Sequence, residues 1–365
     1  MALPTSLYIH IPFCRHICAY CDFPKLFYKE EWGKSYISAL FDELDSYHIE
    51  KGSLKTIYIG GGTPTALDDD LLSSLLKKVR PYLSSSYELT VEANPETITQ
   101  EKASILYRNG VNRVSVGVES SSPRLLKLMG RAHSFSDAVR AIAILKKIGI
   151  SNINADMIYA LPTETYEDVK KDIDAFLSLD IDHLSCYSLI LEGGTIFSAK
   201  GIKEAPSDTQ ADQYELILRC LRKAGFTRYE VSNFARNGKE SEHNKVYWRD
   251  EPYYGAGLGA AGYIGNKRYK NTLNFDTYCK GKHLDYEEEV GADDDIHYFL
   301  LTNLRLAQGL QLATFKSRFG YSLEQEKSKE LASLKKNGLV SIEEGRLYCT
   351  DKGLLLLDSV LLELF

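Results

Sequence analysis

The chain of 365 residues has no uninterrupted apolar run near the roughly 18 residues that a membrane-spanning helix needs. Its opening, Met1-Ala-Leu-Pro-Thr-Ser-Leu-Tyr8, lacks a basic stretch ahead of an apolar one, so no signal peptide is expected. Cationic excess is missing: 44 Lys+Arg stand against 50 Asp+Glu, a formal charge of −6, which argues against nucleic acid as a partner. Low-complexity tracts and the cysteine density of a secreted disulfide scaffold are absent as well. What remains, 44% hydrophobic and 26% charged residues, is ordinary globular composition. The expectation is a cytoplasmic protein of about two domains, or one large α/β barrel with an appendage.

Over the first two thirds, short β-rich runs at 6–12, 56–60, 88–92, 113–118, 152–159 and 183–189 alternate with amphipathic helical runs at 32–47, 70–82, 100–108, 136–148, 166–179 and 209–224. Ser134 with Asp137 three residues on reads as a capping box for the fourth helix. Six β-then-α units predict a mostly parallel sheet with right-handed crossovers, in an open barrel or a doubly wound sheet. Either way, ligands gather at the carboxyl ends of the strands. After residue 234 the rhythm breaks, and 236–290 reads as an irregular connecting segment with a few short strands. The remainder, 291–365, predicts helices near 297–306, 311–319 and 323–336, a strand pair at 339–342 and 347–350, and a last helix from Lys352. That is a winged-helix-like pattern. Its third helix mixes Glu324, Glu326 and Glu330 with Lys327, Lys329, Lys335 and Lys336, too balanced for a DNA groove, so it reads as a packing domain.

Of seven cysteines, Cys186, Cys220, Cys279 and Cys349 are isolated and read as small buried hydrophobes. Cys14, Cys18 and Cys21 fall within eight residues and ask for a metal. Three thiolates can hold three irons of a [4Fe–4S] cube and leave the fourth open. Zinc wants four ligands; His16 could complete the set, but inside the Cys14–Cys18 loop that chelate would be cramped. Ligand count and spacing favour the cluster.

A Cys-x3-Cys-x2-Cys loop after the first strand of a parallel α/β domain resembles the radical S-adenosylmethionine superfamily. The resemblance implies a partial (β/α)6 barrel in which the methionine amino and carboxylate groups chelate the open iron. It also implies an electron donor and cleavage of the sulfonium to a 5′-deoxyadenosyl radical, chemistry that belongs to the cofactor. On this resemblance Gly61, Gly62 and Thr63, in Gly60-Gly-Gly-Thr-Pro64, meet the methionine amino group. Glu92 and Asp156 end or occupy strands and reach ribose or adenine, Arg131 stands near the carboxylate, and Tyr8 and Phe23 flank the cofactor. Glu119 falls where the family usually has glutamine; it still suits a ribose diol while adding charge.

The whole chain further resembles the oxygen-independent coproporphyrinogen III oxidase group. The oxidase branch carries a cysteine two residues after the third and an N-terminal extension; here that position is Phe23, and 13 residues precede Cys14. The heme-chaperone branch carries His-Asn-x-x-Tyr-Trp, matched by His243-Asn-Lys-Val-Tyr247-Trp248 after Tyr229-Glu-Val-Ser-Asn-Phe-Ala235. The resemblance implies bound heme with His243 as candidate ligand, and delivery to a membrane respiratory hemoprotein from the inner membrane face. A homodimer is an allowed state, and cofactor cleavage is left open. By residue chemistry alone, His243 fixing a loop remains the alternative. The rival functions are coproporphyrinogen decarboxylation and a zinc-stabilised scaffold. Gly257-Leu-Gly259-Ala-Ala-Gly262 spells a dinucleotide fingerprint but follows an aromatic loop, so it reads as close packing.

Overall fold

The computed structural model describes residues 3–365. Its β-rich runs form six parallel core strands: Ser6–Ile11, Leu54–Gly61, Leu83–Ala93, Arg113–Glu119, Asn152–Tyr159 and His183–Ser188. They pair in chain order. Tyr254–Ala256 adds a parallel strand beside the first, Asn233–Ala235 adds an antiparallel strand beside the sixth, and Thr227–Arg228 pairs antiparallel with Asn233–Ala235 at the edge. Those outer strands do not pair with each other, so the barrel stays open. Strand order decides against a doubly wound sheet: the six core strands follow one another in chain order with no reversal.

Each strand alternates between two buried environments. Leu7, Ile9, Ile57, Ile59, Leu89, Val91, Val114, Val116, Ile153, Ala155 and Leu184 are almost wholly buried in the main hydrophobic core. The residues between them turn inward and are polar, so the barrel encloses a polar interior. The surrounding helices are Glu30–Ser46, Asp69–Val79, Gln100–Arg108, Phe135–Ile148, Tyr166–Leu177 and Ser207–Lys223. The capping box at Ser134 is present, with the Asp137 carboxylate accepting from the Ser134 N–H at 2.8 Å and hydroxyl at 2.7 Å. A helix at Pro123–Met129, absent from the sequence reading, starts at a proline and ends at Gly130 (φ +72°). That turn delivers Arg131 into the barrel.

The segment read as irregular is largely ordered by non-local contacts. It holds a helix (Glu242–Trp248), a three-stranded antiparallel sheet (Ala261–Ile264, Lys267–Asn271, Leu284–Glu289) and a short helix (Phe275–Cys279). Buried Glu43, on the first helix, anchors it by accepting from Gly257 N–H at 2.9 Å, Asn271 Nδ2 at 2.6 Å, Tyr278 Oη at 2.5 Å and Tyr47 Oη at 2.6 Å. The glycines of the apparent nucleotide fingerprint serve this seam: a Cβ on Gly257 (φ +103°) would strike the His10 carbonyl, and one on Gly262 the Tyr269 ring.

The C-terminal residues form a second core around Phe299, Phe315, Leu334, Leu347 and Val360. Its sheet has three strands, because Leu310–Gln311 joins the expected pair Val340–Glu343 and Arg346–Cys349. The helix expected at 323–336 is two, Leu323–Glu326 and Ser328–Lys336, broken where Lys327 leaves helical geometry (φ −106°, ψ 34°). Asp250 links the C-terminal part to the connecting sheet, bridging Arg268 at 2.8 Å and Arg318 at 2.9 Å. No described helix is long and apolar enough to cross a membrane.

Candidate functional site

The first strand ends at Ile11 and the chain turns sharply, so Cys14, Cys18 and Cys21 come round the carboxyl-end mouth of the barrel. All three line one cavity of about 410 Å³, a volume in the range of small-molecule sites. Burial, the largest effect, raises the Cys14 thiol above its usual range, and pushes Cys21 up to about 11; in each case the neighbouring thiols add to the rise. Donors oppose it. Arg131 Nη1 donates to Cys18 Sγ at 3.3 Å, Thr63 Oγ1 to Cys14 Sγ at 3.7 Å, and the Lys25 cation lies near both Cys14 and Cys21. Among the described residues no three His, Cys, Asp or Glu side chains converge at single-ion spacing. The thiols ring a space with cationic and hydroxyl donors facing the sulfurs, which fits a multi-iron cluster held by three thiolates.

The second strand ends in the glycine run. Gly61 adopts φ +105°, and a Cβ there would overlap the His10 ring; one on Gly62 would lie 2.8 Å from the Ile11 carbonyl. The N–H groups of this run are already engaged within the protein. Gly61 N–H donates to Glu92 Oε2 at 2.9 Å, Gly62 N–H to Ile11 O at 2.8 Å and Thr63 N–H to Phe13 O at 2.7 Å. What this stretch can present is carbonyl oxygen, which accepts from an ammonium.

Arg131 is the hub. It donates to Asn94 Oδ1 at 2.9 Å and to the Gly117 carbonyl, and pairs with Glu119 at 3.5 Å. Asn94 Nδ2 donates in turn to Thr63 Oγ1 at 3.1 Å. Glu119 sits at a register shift ending the fourth strand, with φ +66°. Burial pushes its carboxyl up to about 7, against the pull of Arg131. Glu92 accepts from Tyr58 Oη at 2.7 Å and is likewise pushed up to about 7 by burial, with Asp156 adding to the rise. Asp156 accepts from Ser115 Oγ at 3.0 Å and Asn154 Nδ2 at 2.8 Å.

The candidate residues Cys14, Cys18, Cys21, Phe23, Gly61, Gly62, Thr63, Glu92, Glu119, Arg131 and Asp156 thus line the same cavity. Tyr8 and His243 do not. Tyr8 donates to His10 Nδ1 at 3.0 Å, leaving His10 Nε2–H for the Pro24 carbonyl at 2.8 Å. His243 lies behind Tyr58, which stacks on it at 5.2 Å. Thr56 Oγ1 donates to Ser6 Oγ, so it accepts from His243 Nδ1–H at 2.8 Å, and His243 Nε2 accepts from Tyr247 Oη at 2.8 Å. Burial lowers this imidazole to about 3, so it is neutral. Both nitrogens are engaged and the ring is 1% exposed, which is how a histidine fixes a helix to a barrel. As placed, it offers heme iron no lone pair.

The sequence reading missed Tyr20, Tyr58, Asn94, Ser115, Gly117 and Tyr187 among the cavity residues. The available signal was strand periodicity, since Ser115 and Gly117 share the inward face with Glu119.

The two raised carboxyls predict a pH effect. The ordinary Glu92 carboxyl titrates near 4.5 and the folded one near 7, so the folded state holds more protons between those values and loses stability as pH rises through them. Glu92→Gln is expected to stabilise the cluster-free protein at pH 8 by about 3 kcal/mol, with little change at pH 4.5. Urea unfolding at the two pH values checks this; equal effects at both would contradict it.

A family profile for the Radical SAM superfamily matches residues 8–176, and one for the HemN C-terminal domain matches residues 290–356. The Heme chaperone HemW of Lactococcus lactis is 40% identical, covering 98% of this chain and 96% of the relative. That of Bacillus subtilis is 38% identical, covering 97% of both. This chain belongs to the heme chaperone HemW family. A further member, from Escherichia coli, is 34% identical over 86% of this chain and 85% of its own. The fold is that of coproporphyrinogen III oxidase (HemN) from Escherichia coli, with a TM-score of 0.86 at 25% identity over 99% of this chain and 90% of that one. Membership of the radical SAM superfamily implies a [4Fe–4S] cluster and S-adenosylmethionine, for which the thiols and the cavity are suited.

Proposed function

We propose that this protein carries heme to a membrane hemoprotein, using a barrel that holds a [4Fe–4S] cluster on Cys14, Cys18 and Cys21 and binds S-adenosylmethionine in the adjoining cavity. The observation that carries the reading is the convergence of the three thiols, Arg131 and the strand-end carboxylates on one cavity in a chain similar to heme chaperones over nearly its full length. When bound, cluster and S-adenosylmethionine together supply one-electron chemistry at a sulfonium.

The protein's own residues divide the work. The thiolates of Cys14, Cys18 and Cys21 bind iron. Arg131 holds Cys18 and Glu119 in place and presents a cation to a carboxylate. Glu92 and Asp156 accept from hydroxyls or an exocyclic amine, and Glu119 does so from a ribose diol. Phe23 and Ile158 contribute apolar surface to the cavity lining. A bound cluster would need an electron donor, and the protein works peripherally at the inner membrane face.

Coproporphyrinogen decarboxylation is the second reading, favoured by the full-length structural similarity to the oxidase. Phe23, where the oxidase branch has a cysteine, weighs against it. A paired assay separates the two. Hemin titrated into the reconstituted protein is expected to give a saturable Soret band, with coproporphyrinogen III unconverted under reducing conditions with S-adenosylmethionine. Conversion without hemin retention would replace the chaperone reading with the oxidase one.

A further inference from the structure

We propose that the carried heme lies across the mouth of the cavity with His16, in the cysteine loop, as its axial iron ligand. The proposal rests on the heme-carrying reading above. It begins from the availability of imidazoles. The chain has eight histidines, and those inside the barrel are committed. His10 bonds Tyr8 and Pro24, His183 bonds Asn154 at 2.7 Å and Tyr229 at 2.8 Å, and His243 bonds Thr56 and Tyr247. His133 bonds the Val118 carbonyl at 3.1 Å. His283 packs on Tyr278 at 4.7 Å and His297 on Phe365 at 4.4 Å, and these two and His48 do not line the cavity. Of all the imidazoles, His16 alone lines the cavity, and it is exposed. Among the described residues it takes no part in a side-chain hydrogen bond.

The surroundings suit a porphyrin. Three large side chains lining the same cavity are left in solvent: Phe23 at 58% exposure, Ile190 at 63% and Tyr187 at 42%. Apolar area grouped about an opening marks a binding surface, and flat rings are favourable partners for a macrocycle face. Heme also carries propionates, and Lys25 supplies a cation at this rim. Its Nζ donates only to the carbonyls of Cys21 at 2.5 Å and Phe23 at 3.3 Å, and it forms no ion pair among the described residues. Imidazole for iron, apolar rim for the ring and ammonium for carboxylate are the three features heme needs. Neighbouring Arg15 turns away to the Ala66 carbonyl at 3.3 Å, leaving His16 alone at the mouth.

The test titrates hemin into full-length reconstituted protein, read by absorbance and electron paramagnetic resonance, with iron and sulfide counted for each variant. His16→Ala is expected to weaken hemin binding about tenfold or more and to lose the imidazole-ligand signature, which added free imidazole restores. His243→Ala is expected to keep that signature. Ile190→Glu places a charge on the rim and is expected to weaken binding with cluster content unchanged. Wild-type affinity and spectrum in His16→Ala would overturn the proposal, as would loss of the signature in His243→Ala alone. If His16→Ala lowers iron content, Ile190→Glu decides, and unchanged affinity in that variant counts against the mouth as the site. Failure of the wild-type protein to bind hemin would instead remove the heme-carrying reading.

Discussion

Cys18→Ala is expected to leave anaerobically reconstituted protein with almost no bound iron or sulfide, whereas Cys186→Ala retains both. The difference lies in surroundings. Cys18 lines the cavity and receives a hydrogen bond from Arg131 at 3.3 Å, so its sulfur faces the space that iron would fill with a cationic donor beside it. Cys186 is buried among apolar side chains, and burial raises its thiol far above the usual range, so it stays protonated and unreactive. A three-thiolate site has no spare ligand; losing one leaves two irons open, and the assembly falls apart. Arg131→Met is expected to give an intermediate result, with reduced iron content, because Cys18 loses its donor while buried Glu119 loses its cation. Iron and sulfide analysis with thiol counting reads all three variants. Full cluster content in Cys18→Ala would mean that the loop does not hold iron.

Glu43→Ala is expected to lower stability by about 3–5 kcal/mol, with the region around residues 254–279 unfolding first. One carboxylate at 2% exposure satisfies four donors from the first helix and the connecting segment. Alanine leaves the Gly257 N–H, one hydrogen of the Asn271 amide and the Tyr278 hydroxyl without an acceptor, while the Tyr47 hydroxyl keeps the Gly255 carbonyl at 2.7 Å. Glu43→Gln keeps one acceptor oxygen and is expected to lose less. Urea unfolding followed by circular dichroism gives the magnitudes, and hydrogen exchange locates the first opening. A loss below about 1 kcal/mol in Glu43→Ala would show that the seam is held by packing alone.

The parts legible in the sequence were those with short-range signatures. Alternating apolar positions gave six strands near their observed places because each strand packs one apolar face on helices. The three cysteines, the glycine run and the strand-end carboxylates also declared themselves, since their chemistry is concentrated within a few residues. Less was legible where partners are distant in the chain. The helix at Pro123–Met129 is only seven residues long, and its start and stop signals lay between two stronger patterns. The strand at Tyr254–Ala256 exists because the first strand offers it an edge some 250 residues earlier. Nothing local in Glu43 marked it as the anchor of that region.

His243 shows the division best. Its sequence motif pointed to heme, yet the ring's availability depended on Thr56 and Tyr58 of the second strand and on Tyr247, and these close both nitrogens. The amino-acid order by itself determined the βα rhythm, the trio of thiols and the family pattern, because periodicity and ligand spacing are properties of neighbouring residues. Only the tertiary structure decided which imidazole is free, which carboxyls are pushed up by burial and which side chains share one cavity. Those depend on desolvation and on contacts between residues far apart in the chain.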